Sequence, residues 1–75
     1  MSKKEIAIKK YLKESRIRDL VSFIQRDEGV TPLKAMDMVY NSDLYELLSN
    51  YNTGLYSEGP LYIYDMLLEE ISRHA

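Results

Sequence analysis

The chain has no cysteine, no tryptophan, three glycines, two prolines and a single histidine among its 75 residues. Without cysteine there can be no disulfide and no thiolate metal site. His74, next to the end, is a poor anchor for a structural metal, so no metal or cofactor is expected. A domain of this length buries only about 60% of the surface its unfolded chain exposes. Its core supplies roughly 3–5 kcal/mol unless something adds to it. With disulfides and metals set aside, self-association as a homodimer is the remaining addition. The lack of cysteine also fits a reducing, cytoplasmic setting. Long apolar runs are missing too. The basic N-terminus is not followed by the ~7–15 apolar residues of a signal peptide. No segment reaches the ~18 needed to cross a bilayer, so no membrane partner is expected.

Scarcity of glycine removes the phosphate-cradling loops, because three scattered glycines make neither a Walker loop nor a dinucleotide fingerprint. Ser57, Asp65 and His74 supply the residue types of a hydrolytic triad. However, a side chain at the chain end cannot hold the geometry that such chemistry needs. The adjacent acids Asp27-Glu28 and Glu69-Glu70 point about 100° apart on a helix, as a solvated face does, rather than converging in a dry pocket. The residues therefore describe a chain that is not an enzyme.

What is present is a separation of charge. Residues 1–18 carry a net +5 and residues 19–75 a net −7, which together give the overall −2. The chain reads as one domain, 1–75, with a basic N-terminal helical segment and an acidic helical body. Lys9, Lys10, Lys13 and Arg16 are the candidate electrostatic contacts. They answer the acidic body, in the same molecule or across a dimer, or else they touch a phosphate backbone. A helix-turn-helix outline over Thr31–Asn50 favours the first use, because its second helix offers Asp43, Tyr45, Glu46 and Ser49 but no lysine or arginine. That is the wrong sign for phosphate contacts.

Hydrophobic periodicity gives the fold. Ile17, Leu20, Val21 and Ile24 recur at i, i+3, i+4 and i+7, one face of an α-helix. Ile6 shares that phase, whereas Ile8, Tyr11 and Leu12 lie opposite. Either one helix runs from about Lys4 to Arg26 with two apolar faces, or it breaks or kinks near Glu14-Ser15, the break being the favoured reading. Gly29 suits a left-handed helix cap. Thr31-Pro32 starts the next helix, with Leu33, Met36 and Tyr40 along its apolar side. Asn41-Ser42-Asp43 turns into a third helix bearing Leu44, Leu47, Leu48 and Tyr51. The stretch 51–59 lacks periodicity and reads as a loop. A last helix from Gly59-Pro60 carries Leu61, Tyr64, Leu67, Leu68 and Ile71. Glu69 and Glu70 there oppose the helix dipole. A strand over Leu61–Tyr64 would have no partner. The expectation is an all-α domain of four or five short helices, packed around Leu20, Val21, Ile24, Leu33, Met36, Leu44, Leu47, Leu48, Leu61, Tyr64, Leu67, Leu68 and Ile71.

Tyrosine is the enriched residue: six of the seven fall between positions 40 and 64. Tyrosine buries a large apolar ring and keeps a hydroxyl for water or a partner, which suits interfaces. Tyr40, Tyr51 and Tyr64 keep phase with the apolar stripes and read as part of a small core whose rim residues stay half exposed. Tyr45, Tyr56 and Tyr62 fall off the stripes or in the loop and are the candidate interface residues. The stretch Thr53–Asp65, after a threonine-started helix, resembles a family of short bacterial helical domains of unknown function, sometimes encoded near toxin–antitoxin-like genes. The resemblance spans about residues 20–72 and implies a small helical protein without an assigned active site. These features point to a protein–protein interaction or assembly module, its partner another protein or itself. The alternative is an accessory nucleic-acid-binding role for the basic segment.

Overall fold

The structure, a computed structural model, describes residues 2–74. Among them are four α-helices and no strand: α1 (Lys3–Glu28), α2 (Pro32–Tyr40), α3 (Asp43–Ser49) and α4 (Pro60–Arg73). Each boundary has a local cause. The Ser2 hydroxyl accepts from the Glu5 amide at 3.2 Å to start α1. Gly29 ends it at φ 64°, a left-handed conformation that costs glycine nothing. Thr31 caps α2 by accepting from the Lys34 amide at 3.2 Å, with Pro32 in the first turn. Ser42 caps α3 through the Tyr45 amide at 3.2 Å, and its hydroxyl in turn donates to the Val39 carbonyl at 2.6 Å.

Of the two alternatives the continuous helix is the one observed: the favoured break near Glu14-Ser15 does not occur, and α1 runs unbroken for 26 residues. Nothing in that stretch can break a helix, since it holds neither proline nor glycine. At 1.5 Å per residue such a helix is about 39 Å long, which matches the longest dimension of the molecule, 39 Å. The second apolar side is explained by overhang. Burial along α1 begins only at Ile17, while Ile6, Ile8 and Tyr11 stay exposed. The first turns of α1 project from the body with their apolar side chains uncovered.

The core collects Ile17, Leu20 and Ile24 from α1, Ala35 and Val39 from α2, Leu44 and Leu48 from α3, and Ile63, Tyr64 and Leu67 from α4. The stretch expected to be a plain loop is instead two 3-10 turns, Tyr51–Thr53 and Leu55–Ser57, hinged at Gly54 with φ 69°. The second turn puts Leu55 into the core against α1.

Six residues expected in the core lie at the surface: Leu33, Met36, Leu47, Leu61, Leu68 and Ile71. A short helix turns only a limited arc toward its neighbours. In α2 that arc is the small pair Ala35 and Val39, both 0% exposed, which lets the backbones approach closely and turns Leu33 (79% exposed) outward. In α4 the arc centres on Ile63 and Leu67 rather than on Leu61 and Leu68.

Candidate interaction surface

Three of the predicted electrostatic residues meet Tyr51 and Tyr56 and the residues after them along one side of α1. Lys9 and Lys13, one turn apart, place their ammonium groups 5.8 Å from the Tyr56 ring centre and 5.7 Å from the Tyr51 ring centre. The two rings stand edge to face with centroids 5.8 Å apart. One turn further, Arg16 Nε donates to the Glu58 carbonyl at 3.0 Å, and its Nη1 reaches Asp19 Oδ2 at 2.8 Å. Three of the four basic candidates thus clasp the 3-10 segment of their own chain. The contact is made mainly with tyrosine rings and a backbone carbonyl rather than with the body's carboxylates, apart from Asp19 on α1 itself. Lys10 is exposed and outside the clasp.

The tyrosines spread from core to surface. Tyr64 is buried, Tyr51 is half-buried under Lys13 and Tyr40 is 45% exposed at the rim. Of the interface candidates, Tyr56 belongs to the clasp and Tyr45 packs edge-on to Tyr40 with centroids 4.9 Å apart. Only Tyr62 is open, at 58%. The structure does not bring these three together.

Two polar links were not foreseen. Glu70 caps α3: its Oε2 accepts from the Asp43 amide and its Oε1 from the Leu44 amide, each at 2.9 Å. The sequence held a clue, because an acid at the end of its own helix is misplaced until another helix's amides receive it. The carboxylate at the start of α3 also adds negative charge where a DNA-reading helix would meet a phosphate. The second link joins α4 to α1: Tyr64 Oη donates to Asp27 Oδ2 at 2.6 Å. The Arg26 guanidinium hydrogen-bonded to Asp27, together with the Tyr64 hydroxyl, holds that carboxyl down at about 2. Burial, and then the facing carboxylate, push the Tyr64 hydroxyl up to about 12.

An open apolar surface lies elsewhere. Between α1 and α2 runs a shallow groove of about 350 Å³ floored by Ile17, Val21, Met36 and Tyr40, with Glu14 and Arg18 on its rim. Leu33, Met36 and Tyr40 form a complete i, i+3, i+7 stripe on the outer side of α2. Among the described residues no cluster of ligating side chains could hold a metal ion, and no helix is long and apolar enough to cross a membrane. No family model, curated protein or solved structure matches the chain.

Proposed function

We propose that this protein is a protein–protein interaction or assembly module, working in a cytoplasmic setting, whose docking face is the α1/α2 groove. The observation that carries this reading is the exposed Leu33–Met36–Tyr40 stripe, whose Met36 and Tyr40 also line the groove. Three large exposed side chains in helical register, two of them lining the groove with Ile17 and Val21, present the anchors that a partner helix or side chain buries. A domain with so small a core also gains stability from covering such a face.

Sedimentation over a concentration series tests this, comparing the natural chain with Leu33→Ser/Met36→Ser. Both positions are exposed, so the variant should keep its helical spectrum. Association of the natural chain at micromolar concentration, lost in the variant, is the expected result. A natural chain that stays monomeric, with a melting temperature independent of concentration, counts against it.

The uncovered overhang supports one second reading. Lys3, Lys4 and Lys10 are exposed there and free of the clasp, which favours an accessory nucleic-acid contact as the alternative.

A further inference from the structure

The α1 side of the groove, extended by one turn to Tyr11, carries a spacing that is the same in both directions. Tyr11, Glu14, Arg18 and Val21 lie along one side of the helix at spacings of three, four and three. In two antiparallel helices, residues whose numbers share a constant sum face one another. For a sum of 32, Glu14 faces the Arg18 of a second copy, Arg18 faces the Glu14 of that copy, and each Tyr11 faces a Val21. Opposite charges meet twice at the centre, and an aromatic ring meets an apolar groove at each end.

The two charges are uncommitted within the chain. Glutamate four residues before arginine is the favourable order for an ion pair on one helix. Yet among the described residues neither Glu14 nor Arg18 joins an ion pair; Arg18 Nη2 donates to the Ser15 hydroxyl at 3.1 Å instead. Tyr11 is 63% exposed, open to a neighbouring molecule. A contact of this type is isologous: the same patch serves both subunits, and the assembly closes at two.

We propose that the occupant of the α1/α2 groove is a second copy of this chain, docked antiparallel along α1. Glu14 and Arg18 pair crosswise at the dyad, and each Tyr11 enters the other copy's groove beside Val21 and Met36. This rests on the reading of the groove as a docking face and adds the partner and the register.

Charge exchange at the dyad tests it by sedimentation equilibrium. Glu14→Arg alone and Arg18→Glu alone each set like charges opposite one another and should weaken dimerisation at least about tenfold. The double exchange, E14R/R18E, restores opposite pairs and should recover it. An equimolar mixture of the two single variants should form heterodimers. Both positions are exposed, and circular dichroism of each variant checks that the helices are kept. If the natural chain dimerises but the single exchanges are silent, or the double exchange does not recover, this register is overturned while the assembly reading stands. A monomeric natural chain overturns both.

Discussion

Tyr64 and Asp27, 37 positions apart, are joined by a 2.6 Å hydrogen bond that ties the middle of α4 to the last turn of α1. The donor is buried, 4% exposed, and the acceptor sits at the surface beside Arg26. The link therefore crosses from core to solvent. Tyr64 also packs its ring on Phe23, with centroids 5.1 Å apart, so one side chain serves both the core and its polar edge.

This pair makes stability depend on pH at both extremes. Asp27 has its carboxyl lowered in the folded state to about 2, by Arg26 first and Tyr64 second. Its contribution is full above the ordinary carboxylate value of about 3.9 and is lost as pH falls toward 2. Tyr64 has its hydroxyl raised to about 12. Its contribution is full below the ordinary value of about 10 and is lost as pH rises toward 12. Tyr64→Phe keeps the ring and removes the hydroxyl. Thermal melts should show the alkaline loss reduced and the acid loss confined to a narrower window, with Arg26 still acting on Asp27. Unchanged slopes at both ends would show that the bond is not formed in solution.

The Glu70 cap predicts a local effect. With seven residues, α3 is too short to be stable alone and depends on tertiary support. Glu70→Ala removes both acceptors and should cost about 1 kcal/mol, the usual size of a lost cap. Glu70→Gln keeps one acceptor and should cost less. Hydrogen exchange locates the loss, which should appear first at the Asp43 and Leu44 amides. Exchange at those amides no faster in Glu70→Ala than in the natural chain would refute the cap.

The sequence makes the helices legible because their ends are written in short-range chemistry: Thr31-Pro32 and Gly29 act on neighbours within one turn. It is less informative about which side of each helix faces inward. Leu33, Met36 and Tyr40 have the right spacing for a core stripe, but the close packing allowed by Ala35 and Val39 decides the rotation of α2, and that depends on α1. Likewise, Lys9, Lys13 and Arg16 stand out by charge alone. Their engagement with Tyr56, Tyr51 and the Glu58 carbonyl depends on the 3-10 turns at 51–57, which leave no periodic trace.

The lysines give the test that separates the two functional readings. Lys9 and Lys13 lie over tyrosine rings, where an exposed cation–π contact contributes roughly 0.5–1 kcal/mol. Lys10 makes no such contact. Lys9→Gln and Lys13→Gln should therefore each lower stability by about that amount, while Lys10→Gln should leave it unchanged. A nucleic-acid site would behave differently, because all three lysines would count alike. Binding would also weaken steeply with salt as condensed counterions were released, and the triple variant would lower that slope. We expect poor binding to duplex DNA and single-stranded RNA even at low salt. Two of the three lysines are held against the protein's own rings, and the acidic body repels a phosphate backbone brought near it. Titration at low and moderate salt, alongside denaturant melts of the single variants, checks both halves. Tight, salt-dependent binding abolished by the triple substitution, with stability unchanged, would replace the assembly reading with the nucleic-acid one.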